Sequence, residues 1–116
     1  MELSSILIYQ ADSIEGAGER LELRGGLYCE DLDAVLGASV EATLENVFEA
    51  GNLRRELLPK LRHSISVGDV VALVDEDGEV RHYSVAGCGF EQVRCSEHYD
   101  TDADHTAFIR VHGQVA

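Results

Sequence analysis

The strongest fold signal in the chain is the β-branched run Val67-Gly68-Asp69-Val70-Val71-Ala72-Leu73-Val74. It is followed by Asp75-Glu76-Asp77-Gly78, whose final Asp-Gly pair is typical of a hairpin turn, and then by Val80-Arg81-His82-Tyr83-Ser84-Val85. A short apolar, β-branched run next to a tight turn predicts a buried strand that pairs with its antiparallel neighbour. We therefore expect an antiparallel sheet built around this hairpin, with Val70 and Tyr83 in the core.

Further strands are predicted on both sides of this hairpin. Residues 5–10 are β-branched and aromatic and predict a buried first strand, whereas residues 90–94 and 107–111 extend the sheet towards the C-terminus. Apolar and charged residues alternate over 21–29, interrupted by Gly25-Gly26. Two consecutive glycines between alternating runs favour a tight hairpin turn, since both accept positive φ.

Residues 32–51 allow two interpretations. Val40, Leu44, Val47 and Phe48 are spaced as one stripe of a helix, which would begin after the candidate N-cap Ser39. Alternatively, a strand over 34–42 precedes a short helix over 44–50. Under either interpretation the helix would end at Gly51-Asn52. The fold class is the same in both cases: α+β, a mostly antiparallel sheet with one or two short helices on one face.

Length and composition indicate a single domain spanning 1–116. The chain has 116 residues, of which 45% are apolar, so it can bury one core but not two. Acidic residues outnumber basic ones by 22 to 9, giving a net charge of −13. This charge argues against direct binding to a nucleic-acid backbone, which requires cationic groups. The chain also lacks a run of about 18 apolar residues and a basic, apolar leader, so we expect no membrane span or secretory signal.

The cysteines and histidines of the C-terminal third raise the hypothesis of a metal site. The three cysteines are an odd number without secretory context, which favours reduced thiols in the cytoplasm. Cys95-x-x-His98 has a spacing that can close on one zinc ion, but a structural zinc site needs a second close pair, and none is present. Candidate ligands are Cys88, Cys95, His98, His105 and His112. We expect no structural metal and no cofactor.

The segment 95–106 is predicted to be an acidic, flexible loop. Asp100-x-Asp102-x-Asp104 resembles the start of a calcium-binding loop, but the sixth and twelfth positions hold His105 and Val111 instead of Gly and Glu. No motif of a catalytic serine, a phosphate-binding loop or a dinucleotide site occurs. We assign no catalytic residue.

One set of residues supports a family resemblance. It comprises Leu44-Glu45-x-Val47-Phe48-x-x-x-Asn52, Leu58-Pro59, Arg62-x-Ser64-Ile65-Ser66-Val67-Gly68-Asp69-Val70-Val71, Tyr83 and Gly89-Phe90-Glu91-x-Val93. Over residues of about 34–93 the chain resembles the YodL-like domain family of phages and mobile genetic elements. The resemblance implies a strand before the helix, and for this reason we favour the strand over 34–42. It implies a mobile-element setting and no defined activity.

The residues of this block are turn and core residues. Gly68-Asp69 predicts a turn in which the Asp side chain caps backbone N–H groups, and Phe48 and Phe90 are expected to pack the helix on the sheet. Such a set specifies a fold and holds no nucleophile, base or ligand group. The fold signature is Phe48, Asn52, Ser64, Ser66, Gly68, Asp69, Tyr83, Gly89 and Phe90.

The function predicted from the sequence is a non-enzymatic accessory protein that binds a host or element protein. The alternatives are a small cysteine- or zinc-dependent enzyme and an acidic inhibitor that mimics DNA. For the interface we choose an exposed sheet edge at the predicted hairpin 21–29, with Leu21, Leu23 and Leu27 as candidates, because edge strands offer unpaired backbone groups. The same edge would serve a homodimer.

Overall fold

A computed structural model describes residues 2–11, 20–101 and 106–115. Within these residues six antiparallel strands close into a barrel with the neighbour order β1-β2-β6-β5-β4-β3. The prediction of a mostly antiparallel sheet with accompanying helices is confirmed. The strands are β1 (Leu3–Ala11), β2 (Leu21–Tyr28), β3 (Val70–Asp75), β4 (Val80–Ala86), β5 (Gly89–Asp100) and β6 (Thr106–Gln114).

Barrel closure depends on pairs that are distant in sequence. Strand β1 lies between β2 and β3, so that Ile8 pairs with Gly25 on one side and with Val71 on the other. Strand β2 reaches β6 only through its first two residues, Leu21 and Glu22. The β3–β4 hairpin forms as predicted, with Val71 opposite Tyr83.

The interior of the barrel is filled by one apolar cluster, to which all six strands contribute. Val70 is fully buried there, as predicted. The members of this cluster are Tyr9, Ala11, Leu21, Val70, Ala72 and Ile109, with Leu7, Leu23, Val80, Cys95 and Val111 packed against them.

A second cluster joins the outer side of the barrel to the helices. Strand β1 places Ile6 and Ile8 in this cluster, whereas its alternate residues Leu7 and Tyr9 face the interior, because successive side chains of a strand point to opposite faces. Tyr83 packs against the outer cluster but is only partly buried. The helical residues of the cluster include Leu32, Leu44, Val47 and Ala50.

Helix α2 spans Val40–Leu53, which corrects the favoured strand over 34–42. Ser39 is the N-cap, and its hydroxyl accepts a hydrogen bond from the N–H of Ala42 at 3.1 Å. The preceding segment is held on the helix instead of in the sheet: the N–H of Gly37 donates to Thr43 Oγ1 at 2.9 Å. The helix also continues past the predicted end at Gly51-Asn52. A short helix α1 (Cys29–Asp33) and a 3-10 turn (Arg55–Leu57), neither predicted with these bounds, complete the helical layer.

Gly25 and Gly26 lie inside strand β2, so the predicted hairpin turn at this position is wrong. The glycines instead permit a close approach, since a Cβ atom on Gly25 would lie 2.9 Å from Leu58 Cδ2. The side chain of Leu58 therefore packs directly against the backbone of strand β2.

The predicted acidic loop over 95–106 is largely strand. Residues up to Asp100 belong to β5, and β6 begins at Thr106. Residues 102–105, which include the predicted ligand His105 and two aspartates of the calcium-like motif, lie outside the described residues. No helix in the described ranges is long and apolar enough to cross a membrane.

Candidate functional site

An apolar groove lies between helix α2 and the turn that joins β4 to β5. Phe48 from α2, Val67 from the loop before β3 and Phe90 from β5 line a cavity of about 340 Å³. The rings of Phe48 and Phe90 meet edge to face, with centroids 6.4 Å apart. Both Phe48 and Val67 remain accessible, with 36% and 66% of their surface exposed. The groove therefore presents aromatic and aliphatic surface to solvent.

The exposure of Phe48 corrects the prediction that this residue is buried in the core. The stripe that α2 buries runs through Leu44, Val47 and Ala50. Phe48 lies at the margin of this stripe and covers Phe90 instead of entering the core cluster. Asn52 holds the same turn of the helix, since its Nδ2 donates to the carbonyl oxygen of Phe48 at 2.8 Å.

Acidic side chains border the groove along α2. Glu41, Glu45 and Glu49 are exposed, and Glu45 is part of the groove wall. Their spacing of four residues places them on one side of the helix. Among the described residues, none of these carboxylates is paired with a cationic side chain. We refer to these three residues as the acidic stripe.

The turn before β3 is built by the residues of the predicted fold signature. Gly68 has φ +96°, in the left-handed region that favours glycine, and the N–H of Asp69 donates to the carbonyl of Ser66 at 3.0 Å. Asp69 Oδ2 accepts from the N–H of Ser66 at 2.9 Å, which confirms the predicted capping by this side chain. Ser66 Oγ donates to the carbonyl of Ser64 at 2.8 Å.

Gln10 links this turn to the barrel. It is fully buried, and its Nε2 donates to Asp69 Oδ2 at 3.0 Å while its Oε1 accepts from the N–H of Arg62 at 3.0 Å. Burial raises the pKa of Asp69, although the hydrogen bonds from Ser66 and Gln10 oppose this shift. These hydrogen bonds join strand β1 to the turn that carries Val67 at the groove.

A second cavity, of about 520 Å³, lies at strands β4 and β5, and His82, Cys95 and Glu97 are among the residues that line it. His82 is buried, and its Nε2 has no hydrogen-bond partner among the described residues; the nearest carboxylate oxygen, Glu97 Oε1, lies 3.7 Å away. Burial lowers the pKa of His82 and raises the pKa of Cys95 to about 11, with the Glu97 charge adding to the latter. The thiol is therefore protonated at neutral pH and is a poor nucleophile.

The predicted zinc pair Cys95 and His98 does not converge on one point. Cys95 packs towards the barrel interior, whereas His98, three residues further along the same strand, stacks on the ring of Phe108 on the outer face. Side chains an odd number of residues apart in a regular strand point to opposite faces. Cys88 is exposed at the β4–β5 turn.

The predicted interface residues belong mainly to the core. Leu21 and Leu27 are fully buried, in the interior and outer clusters respectively, and Leu23 is partly buried against the interior cluster. The hypothesis of an exposed edge at 21–29 is therefore wrong for these side chains. Strand β2 is paired with β1 along its length, and β6 covers its beginning.

The groove was not identified as a site from the sequence. The sequence pattern places Phe48 and Phe90 in the core, and only the tertiary structure brings them together at the surface. The acidic stripe becomes visible in the sequence once the helix over Val40–Leu53 is recognised. No family model, curated protein or solved structure matches the chain.

Proposed function

We propose that this protein is a non-enzymatic accessory protein of a phage or other mobile element, and that it acts in the cytoplasm by binding a host or element protein. The observation that carries the proposal is the exposed apolar groove beside the acidic stripe. The mobile-element setting comes from the resemblance to the YodL-like family. The three free cysteines support a reducing compartment.

The chemistry of the groove defines the partner. Phe48 and Phe90 offer an aromatic surface of the kind that anchors protein interfaces. Glu41, Glu45 and Glu49 place uncompensated negative charge along its border, which favours a partner with complementary positive charge. We propose that the groove binds a partner segment with apolar anchor residues flanked by Lys or Arg.

The barrel cavity does not support the alternative of a cysteine-dependent enzyme. Such chemistry needs a thiolate at neutral pH, whereas burial raises the pKa of Cys95 to about 11. A binding role requires no such group. It requires accessible apolar surface, which the groove provides.

The test uses labelled peptides of defined composition in a fluorescence-polarisation assay. One peptide combines Leu and Phe with Arg, a second replaces Arg with Glu, and a third replaces the apolar residues with Ser. We expect the first peptide to bind, with an affinity that falls as salt is raised. Phe48→Ser should weaken binding by about tenfold or more, since anchor residues at interfaces contribute at least about 1.4 kcal/mol.

Matched variants separate the groove from general surface properties. Leu53→Ser removes an apolar side chain of α2 that is 76% exposed and does not line the groove, and it should leave binding unchanged. Equal binding by Phe48→Ser and wild type would contradict the proposal. If the triple variant Glu41→Gln/Glu45→Gln/Glu49→Gln loses peptide binding while Phe48→Ser retains it, the result would favour the DNA-mimic alternative.

A further inference from the structure

Two histidines on neighbouring strands converge on one hydroxyl group. Ser96 Oγ lies 2.8 Å from His98 Nε2 and 2.7 Å from His112 Nε2. Ser96 and His98 belong to β5 and His112 belongs to β6, so the pairing of these strands creates the cluster. Both hydrogen bonds are exposed to solvent.

The orientation of one ring is fixed by packing. The imidazole of His98 stacks on Phe108, with centroids 5.0 Å apart and an interplanar angle of 17°. The guanidinium of Arg20 lies over the same Phe108 ring at 3.9 Å, so the ring is held from a second direction. The Nε2 atom of His98 is consequently directed to a defined point between the strands.

The hydrogen bonds require different protonation at the two rings. The Ser96 hydroxyl can donate its single proton to one Nε2, and it accepts a proton from the other. A divalent metal ion would use the lone pairs of both Nε2 atoms and leave the ring protons on Nδ1. Because both nitrogens lie within 2.8 Å of one oxygen atom, an ion bound beside that oxygen is within reach of both.

We propose that His98 and His112 bind a divalent transition-metal ion, such as Zn²⁺, through their Nε2 atoms at the outer face of the β5–β6 pair. Imidazole nitrogen is a preferred ligand for Zn²⁺ and Cu²⁺, and water completes the coordination in an open site. The site shares no residue with the groove and does not depend on the proposed function.

Isothermal titration with ZnCl₂ on the full chain tests the proposal. We expect each of the variants His98→Ala and His112→Ala to bind Zn²⁺ at least ~10-fold more weakly than wild type. Removal of a group that only contacts a metal ligand already costs about this much affinity, and these variants remove a ligand itself. Gln114→Ala, an exposed residue two positions beyond His112 on β6, is the matched control and should bind as wild type does. Ser96→Ala should retain binding, since the imidazoles are the ligands.

A second readout follows the ring nitrogens directly. Long-range proton–nitrogen NMR should show Nε2 of both histidines losing any attached proton and shifting when Zn²⁺ is added. Far-UV circular dichroism checks that each variant is folded. Absence of zinc binding by wild type, or zinc binding that either histidine variant retains at wild-type affinity, would overturn the proposal.

Discussion

Gly51→Ala tests the packing of helix α2 on the turn before β3. Gly51 lies in the last turn of the helix, where replacement of Gly by Ala stabilises by up to about 1 kcal/mol. Here an added Cβ atom would lie 2.4 Å from Ile65 Cδ1 and 2.5 Å from Ile65 Cγ1, in a side chain that is only 2% exposed. Overpacking of a closed core costs about 1–3 kcal/mol. We therefore expect a net loss of about 1 kcal/mol in the free energy of unfolding.

A double-mutant cycle identifies Ile65 as the cause. Ile65→Val removes Cδ1 and should cost about 0.5–1.5 kcal/mol by itself. In the double variant the methyl group introduced at position 51 partly fills the space that Ile65 Cδ1 vacates. The double variant should therefore lose about 1 kcal/mol less free energy of unfolding than the sum of the two single variants. Urea unfolding followed by circular dichroism measures all four proteins.

The control for this cycle is Gly87→Ala. Gly87 is exposed, and an added Cβ atom there meets nothing within 4 Å, so the change should stay within about 0.5 kcal/mol of wild type. Additivity of Gly51→Ala and Ile65→Val within about 0.5 kcal/mol would refute the proposed contact between helix and turn. The contact would also be refuted if Gly51→Ala raised the free energy of unfolding by the full ~1 kcal/mol that helix propensity predicts.

Three further predictions concern single groups. Ser39→Ala removes the N-cap of α2 and should lower the free energy of unfolding by about 1 kcal/mol in urea titrations; an unchanged midpoint would show that the cap is dispensable. Cys95, whose pKa is raised to about 11, should be alkylated by iodoacetamide at neutral pH far more slowly than the exposed Cys88, as followed by mass spectrometry; similar rates would contradict its burial. Burial raises the pKa of Asp69 above its ordinary value of 3.8, so its contribution to stability is present at low pH and is lost as pH rises through the folded-state pKa. Asp69→Asn should therefore gain stability relative to wild type as pH rises above 3.8 in urea titrations, and the opposite trend would show that the hydrogen bonds outweigh burial.

The parts of the fold that follow from neighbouring residues could be predicted from the sequence. The β3–β4 hairpin has a continuous apolar run and an Asp-Gly turn, and both strands occur where the pattern places them. The turn at Gly68-Asp69 also follows from local chemistry, because a glycine with φ +96° and a capping carboxylate act within three residues of each other. Such features are encoded by short-range geometry.

The helix over Val40–Leu53 could not be settled in the same way. Its apolar spacing fits a helix, but a strand over 34–42 was the alternative, and the family resemblance favoured that alternative, which is wrong. The deciding interactions are the hydrogen bonds that Thr43 and Asn46 make to backbone atoms of the preceding segment. These groups meet only when the helix is already formed.

The strand-rich fold class, the acidic composition and the signature turn follow from the order of residues alone. Which faces are covered depends on the packing of distant elements. Leu21 looks like an edge residue in an alternating strand, but β6 pairs with it through Ile109 and closes the barrel over it. Phe48 looks like a core residue in a helix stripe, but it lies at the margin and lines a groove. The physical reason is that periodicity records which side chains share a face, whereas burial depends on what packs against that face from distant parts of the chain.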